Sequence, residues 1–333
     1  MTYDLVSIGR VNMDLFSRDI GAEFRDIRSF DAMVGGSPAN IAISSARLGL
    51  NTALLTAVGE DKVGSFVLGY LEDERVETAH IATKPQKTSL ALLGVQPPDR
   101  FPLEFYRDDP ADIHLTPEEV ERFPWKDTKA FQLSGNALSR GVGAEAAVRA
   151  TELAVEHGLE RYIDLDLRPV EWREPRAFGE AVRGVLGHLT VVIGTEEEVW
   201  AALSSEPELV MGGEKLAADK HDELLLLATS ALERYPQLKA IIVKRGPAGA
   251  TVVTIGAQFV DVEGFPVEVV NTVGAGDAFA GGLIAGRTWA WDWPKAIRFA
   301  NACGAIEVTR HGCSAAFPRL GEVEQFISDN GGW

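Results

Sequence analysis

Short apolar runs alternate with longer amphipathic stretches along most of this chain, and no other feature limits its fold so strongly. The strand-like runs are Tyr3–Ile8, Thr52–Val58, Ala130–Leu133, Tyr162–Leu165, Thr190–Ile193 and Ala240–Val243. Helical patterns at Pro38–Leu48, Gly64–Glu74, Ala144–His157 and Glu196–Leu203 lie between them. This alternation predicts an α/β fold in which a parallel sheet carries helices on both faces. The 333 residues are read as one large domain of this kind, 1–333.

Two segments break the rhythm. Residues 10–34 and 78–107 carry alternating strand-like pieces such as Thr88–Val95 and Leu103–Tyr106, punctuated by Pro97-Pro98 and Phe101-Pro102. They predict a small β lid inserted into the main domain. Further on, a hairpin at Gly249–Ile255 and Gln258–Val262 precedes two apolar helices, Ala275–Arg287 and Pro294–Val308. Residues 204–223 read as helix with a surface loop. There is no internal repeat and no low-complexity segment.

The charge balance narrows the ligands. With 32 Lys and Arg against 49 Asp and Glu, the net charge of −17 opposes binding to nucleic acid or to an anionic membrane surface. No apolar run approaches the ~18 residues of a membrane span. An anionic ligand must therefore be held by a local group of cations or by helix N-termini, which makes well-placed arginines informative. The two cysteines, Cys303 and Cys313, are too few for a disulfide framework and lack CxxC spacing. The first residues run into a strand with no basic and apolar leader, so a reducing cytoplasm is the expected location.

The sharpest motif is Asn271-Thr272-Val273-Gly274-Ala275-Gly276-Asp277-Ala278-Phe279. It passes from a strand-like end through small residues into a helix. Gly274 and Gly276 permit close backbone approach, and the N–H groups at the helix start, around Ala275, can meet an anion. Asp277 falls in the first turn, where the helix dipole is expected to keep it ionised. A base beside an anion hole suits removal of a proton from a hydroxyl that attacks a phosphoryl group. Alone, the motif reads equally as a glycine turn with Asp near a helix start. A second glycine pair, Gly35-Gly36-Ser37-Pro38-Ala39-Asn40, also opens a helix, and Asn40 is directed back towards the loop. Upstream, Gly9-Arg10-Val11-Asn12-Met13-Asp14 follows the first strand, where α/β proteins place ligand groups. Asp14 is positioned to accept hydrogen bonds from two sugar hydroxyls.

These motifs, taken in order, resemble the ribokinase-like (PfkB) family of carbohydrate kinases. The resemblance runs over essentially the whole chain: Asn12 and Asp14, the pair Gly35 and Gly36 with Asn40, Lys244-Arg245-Gly246-Pro247-Ala248-Gly249, and Gly274 to Asp277. It implies a Rossmann-like sheet with a β lid and ATP-dependent phosphorylation of a sugar hydroxyl with Mg2+. Asp277 would be the base, and Gly274, Ala275 and Gly276 the anion hole. Phe105-Tyr106-Arg107, Asp164-Leu165-Asp166-Leu167-Arg168-Pro169 and Trp172 direct the resemblance towards members that act on a six-carbon keto sugar acid, as in inositol catabolism. Arg10, Asn12, Asp14, Gly35, Gly36, Asn40, Tyr106, Arg107 and Arg168 are then the sugar-site candidates. Thr195, Lys244, Gly246, Gly249 and Asn301 are the candidates for ATP, and Glu198 for magnesium. The family's lid pairing implies a homodimer.

Two positions depart from the family pattern. Asn271 stands where many members carry an Asp that helps bind a monovalent cation, so a potassium requirement is not expected to carry over. Thr195-Glu196-Glu197-Glu198 replaces the usual N-x-x-E, and only Glu198 keeps the family spacing. A P-loop mechanism is excluded, because Gly59–Ser65 has Val63 in place of the lysine. The six histidines are scattered without metal-binding spacing, and Cys303 on its apolar helix reads as core. Within the kinase reading, 2-keto-3-deoxygluconate and fructose stand as alternative substrates. A non-catalytic sugar or nucleotide sensor is the reading of a different class.

Overall fold

Strands rich in Val, Ile and Leu on both sides must be covered on both sides, and the order of elements achieves this. A computed structural model describes residues 2–97 and 100–333; Met1, Pro98 and Asp99 lie outside the described residues. The chain opens with β1 (Tyr3–Ile8), β2 (Asn12–Ser17), β3 (Phe30–Gly35), α1 (Ser37–Arg47), β4 (Thr52–Leu55) and β5 (Ala57–Gly59). It continues through α2 (Lys62–Asp73), β6 (Val76–Glu77), β7 (Ala82–Lys84), β8 (Ser89–Leu93), β9 (Leu103–Tyr106) and α3 (Pro117–Glu121). The alternating middle comprises β10 (Thr128–Ser134), α4 (Gly141–Glu156), β11 (Glu160–Asp164), α5 (Pro175–Val185), β12 (Val191–Thr195), α6 (Glu196–Leu203) and α7 (His221–Arg234). The last part is β13 (Ala240–Lys244), β14 (Ala250–Thr254), β15 (Gln258–Val262), α8 (Ala275–Thr288), α9 (Trp293–Val308) and α10 (Leu320–Asp329).

Nine strands form the main sheet in the order β15-β14-β13-β12-β11-β10-β1-β4-β6. Every pair from β13 to β6 is parallel, and only the β13-β14-β15 ribbon is antiparallel. The register aligns Ile8 with Leu133, Ser134 with Asp164 and Thr195 with Lys244. All the loops that follow these residues therefore leave from one edge of the sheet. On one face, α1, α8 and α9 bury Ile41, Ile43, Leu283 and Phe299; on the other, α5, α6 and α7 bury Phe178, Trp200 and Leu224. A second sheet, β3-β2-β8-β9, stands over the carboxyl edge, with β2 and β8 parallel and the outer pairs antiparallel.

Two elements differ from the sequence expectation. The run Thr52–Val58 is two strands: β4 pairs with β1, whereas β5 pairs with β7 in a separate two-stranded sheet, and the Thr56 carbonyl between them accepts from Ala82 N–H. Continuous apolarity cannot show a change of partner. Residues 204–223 form short 3-10 turns at Pro207–Leu209 and Ala218–Lys220 rather than a longer helix, which begins only at His221. Pro207 and the pair Gly212-Gly213 disfavour a continuous helix there.

Trp200 is fully buried in α6, and its indole N–H donates to the Glu206 carbonyl at 2.8 Å. Truncation to Ala removes the packing and leaves that carbonyl without its partner. Trp200→Ala is expected to lower unfolding free energy by ~3–5 kcal/mol with an unchanged m value, measured by urea denaturation.

Candidate active site

The carboxyl edge of the sheet gathers more buried charge than the rest of the fold. At the exit of β1, Arg10 is buried and its nearest carboxylate is Asp166, at 3.8 Å. Its guanidinium stacks over the Phe105 ring at 5.7 Å, yet it donates no hydrogen bond among the described residues, and its buried Nε is without a partner. Burial pushes its pKa below the ordinary arginine value, opposed by Asp166. On β2, Asn12 donates its amide to the Asp14 carboxylate. Burial raises Asp14 to about 7, with Arg10 and Arg168 pulling the other way. Gly35, beside it on β3, is required by contact: a Cβ there would overlap the Asp14 carboxylate. Gly36 caps α1.

The starts of α1 and α8 meet. Asn40 Nδ2 donates to Asp277 Oδ2 at 2.8 Å and also reaches Cys313 Sγ at 3.2 Å. Gly274 caps α8 at φ +109°, and a Cβ there would lie 2.6 Å from Cys313 Sγ and 2.9 Å from Glu307 Oε1, so only glycine fits. Ala275 N–H turns back to the Thr272 carbonyl at 3.4 Å, while those of Gly274, Gly276 and Asp277 take no backbone acceptor among the described residues. Burial raises the Asp277 pKa, Asp166 adds to that rise, and the Asn40 hydrogen bond lowers it. The expectation that the helix dipole keeps this carboxylate ionised is thus opposed by desolvation, the larger effect in a buried pocket.

Lys244, at the end of β13, lies on the opposite side of the α8 start: its Nζ would stand 3.2 Å from a Cβ at Gly276. It pairs with Asp164 at 3.1 Å and Glu198 at 3.8 Å. Burial works against the lysine charge, but Asp164 and Glu198 more than offset it and its pKa is raised. Burial also raises Asp164, against Lys244. Thr195 and Glu198 form a reciprocal capping box on α6, Glu198 Oε2 accepting from Thr195 N–H at 2.7 Å and Thr195 Oγ1 from Glu198 N–H at 3.2 Å. Glu198 Oε1 also accepts from Leu167 N–H at 3.2 Å. Among the described residues no three His, Cys, Asp or Glu converge as direct metal ligands. The Asp164 and Glu198 pair instead fits a hard divalent ion that keeps waters and phosphate oxygens in its shell. Gly246 and Gly249 bound the turn from β13 into β14. Asn301 on α9 donates to the Val262 and Glu263 carbonyls, both at 3.1 Å, fastening the exit of β15.

The remaining arginines behave differently from one another. Arg168 is half exposed at its side chain and pairs with Asp166 at 2.9 Å. Asp166 has φ +38°, a backbone conformation uncommon outside glycine, and Ser134 Oγ donates to it at 2.9 Å. Although burial opposes its charge, Arg168 and Arg10 hold Asp166 below the usual carboxylate range. Arg107 is buried and already engaged: its Nη1 donates to both Asp112 oxygens at 2.9 and 2.7 Å, and its Nε to Glu171 at 3.0 Å. Tyr106 is 62% exposed on the outer lid strand, whereas its neighbour Phe105 faces Arg10. Asp164, Asp166, Phe105, Glu307 and Cys313 were not singled out as site residues from sequence. The signal for the first two was the placing of two acids at the end of a buried strand.

A domain that joins a largely parallel sheet, a β lid and a glycine turn with an adjacent buried aspartate has relatives. The match to the pfkB family carbohydrate kinase model covers residues 2–320, and the chain belongs to that family of ATP-dependent kinases with the ribokinase-like fold. It is 33% identical over 328 residues to a 5-dehydro-2-deoxygluconokinase of Geobacillus thermodenitrificans, covering 97% of this chain and 93% of the relative. Among solved structures it is similar to a ribokinase II of E. coli in complex with ATP and Mg2+, with 26% identity, TM-score 0.82 and coverage of 98% and 100%. A fructokinase double mutant of Vibrio cholerae, solved with fructose, ADP and potassium bound, has 26% identity, TM-score 0.80 and 98% coverage of both chains.

Asp14 supplies a pH test. Its folded pKa of about 7 exceeds the unfolded value of about 4, so the native state retains a proton that the unfolded chain releases. Stability from this group is present below the unfolded value and is lost as pH rises towards 7. Asp14→Asn carries no such loss. Its Tm relative to wild type is expected to be higher at pH 8 than at pH 4, by differential scanning calorimetry. An unchanged difference would place the Asp14 pKa in the ordinary range.

Proposed function

We propose that this kinase transfers the γ-phosphoryl group of ATP to the terminal hydroxyl of a keto sugar acid, 5-dehydro-2-deoxygluconate. One observation carries the acid reading: Arg10 is a buried guanidinium that donates no hydrogen bond among the described residues, its nearest carboxylate, Asp166, standing 3.8 Å away, and it lies next to Asp14 and the glycine pair. A guanidinium has five donors in a planar fork, and a carboxylate is the ligand that fits it. Arg107, engaged by Asp112 and Glu171, acts in this reading by fixing the lid strand and presenting its free edge, and Arg168 faces the phosphates. Tyr106, if it meets the sugar, does so from the exposed edge of the lid. The 33% identity to a 5-dehydro-2-deoxygluconokinase supports the choice over 2-keto-3-deoxygluconate or fructose.

In the reaction, Asp14 and Asn12 hold two sugar hydroxyls, and Gly35 and Gly36 allow the chain close to the sugar. Asp277, oriented by Asn40, takes the proton of the attacking hydroxyl as its oxygen bonds to the γ-phosphorus and the bond from that phosphorus to the β–γ bridging oxygen breaks, ADP leaving. A carboxylate is too weak a base to ionise the hydroxyl beforehand, so alignment and electrostatics carry most of the acceleration. The N–H groups of Gly274, Ala275 and Gly276, with Lys244 beside Gly276, stabilise the charge on the transferring group. Glu198, with Asp164 at its side, is the residue that would hold Mg2+, and Thr195 orders Glu198. When bound, Mg2+ neutralises phosphate charge. Gly246, Gly249 and Asn301 border the nucleotide. The reading includes a homodimer through the lid, supported by Leu103 and Tyr106 exposed on the edge strand β9; light scattering tests it. The cytoplasm is the corresponding location.

A coupled ADP-release assay is the test. Asp277→Asn is expected to lower kcat by ~10²–10⁴-fold with ATP binding retained. Arg10→Ala is expected to reduce kcat/KM for the sugar acid by ~10–10²-fold, the scale of a lost charged hydrogen bond, with little change for fructose. A higher kcat/KM for fructose than for either acid, or an active Asp277→Asn, would overturn the respective assignment.

A further inference from the structure

The turn that forms the anion hole is tied down by a side-chain amide. Asn271 is fully buried; its Oδ1 accepts from Val273 N–H at 3.0 Å, and its Nδ2 donates to the Gly312 carbonyl at 2.6 Å and towards that of Val273 at 3.5 Å. The backbone N–H groups of Val270 and Asn271 both reach the Val308 carbonyl at the end of α9, at 2.8 and 3.2 Å. Only one orientation of the amide satisfies this network, since a flip would set oxygen against the Gly312 oxygen and N–H against N–H. The Gly274–Gly276 turn and the 308–313 segment are thus joined through one neutral side chain.

The donor set does not suit a cation. The carbonyls of Val273 and Gly312 converge on one point, and the Nδ2 of Asn271 stands there with its own positive N–H groups. The surroundings are already rich in acid: Glu307 is fully buried, both its carboxyl oxygens are unpartnered among the described residues, and it lies against the Gly274 backbone, three residues before Asp277. A carboxylate at position 271 would bring a buried negative charge facing two carbonyl oxygens, which a bound cation would have to balance. An amide reaches the same neutral total without an ion. Potassium is bound in the Vibrio cholerae fructokinase structure. We propose that in this chain the Asn271 amide takes the place of a monovalent cation behind the anion hole, so that turnover needs no potassium and Asn271 is the positioning residue for the Gly274–Gly276 turn.

The inference rests on the anion-hole role proposed for that turn. An active Asp277→Asn would remove the catalytic reading whatever the potassium response, which keeps the two failures separate. The experiment measures kcat at saturating ATP, Mg2+ and sugar acid in potassium chloride and in choline chloride of equal ionic strength. Wild type is expected to stay constant within about twofold, because no ion binds the folded state specifically. Asn271→Asp is expected to lose ~10²-fold in choline, the scale of a displaced anion-hole donor, and to recover in potassium. In a readout independent of activity, potassium should raise the Tm of nucleotide-free Asn271→Asp and leave wild type unmoved. Wild-type activation above roughly tenfold in potassium, well beyond general salt screening, would overturn the proposal, whether or not the variant folds. So would an Asn271→Asp enzyme equally active in both salts.

Discussion

The hydrogen bond from Asn40 to Asp277 joins the starts of two helices 237 residues apart in sequence, and the site is organised around it. α1 and α8 lie side by side on one face of the sheet, so the glycine turn before each opens onto the same volume at the carboxyl edge. Without that contact Asp277 would lose the amide donor that fixes its carboxylate. The packing that secures it is backbone-close: a Cβ at Gly281 of α8 would collide with Ser44 of α1. Sequence-distant motifs can act as one unit here because the helices bearing them approach this closely.

Around this contact the charge is arranged in opposed pairs rather than dispersed. Asp166 is held ionised by Arg168 and Arg10, and Lys244 by Asp164 and Glu198, while Asp14, Asp277 and Glu307 are pushed towards the neutral form by burial. Within the site desolvation sets the sign for Asp14, Asp164 and Asp277, and nearby cations reverse it at Asp166. A chain of net charge −17 thereby keeps its cations and carboxylates locally balanced at the edge of its sheet.

Much of this was legible in the sequence because it rests on local rules. The βα alternation fixed the sheet and its helices, and the two glycine turns followed by Asn40 and Asp277 identified the helix starts. What was not legible depends on which strands become neighbours. Nothing in Thr52–Val58 announces that Thr56 divides it between two sheets, since both halves are equally apolar. Arg107 looked free for a ligand because Asp112 and Glu171, its partners, are placed by the lid and by the loop after β11. Asp164 and Asp166 were visible as acids at a strand end, but that Lys244 pairs with the first and Arg168 with the second depends on how β13 and the loop after β11 come together. Phe105 faces Arg10 and Tyr106 the outer surface, as period-two alternation requires once the lid face is set.

The lid sheet is attached to the main body at four places: from β1 into β2, from β3 into α1, into β8, and out of β9. A plate on a single hinge can swing through a wide arc, but one held by four short straps cannot rotate far without stretching some of them. Any displacement of the lid against the main sheet has to be shared among all four connections. Stiffness at any one of them, including the glycine pair beneath Asp14, sets the ease of the whole movement.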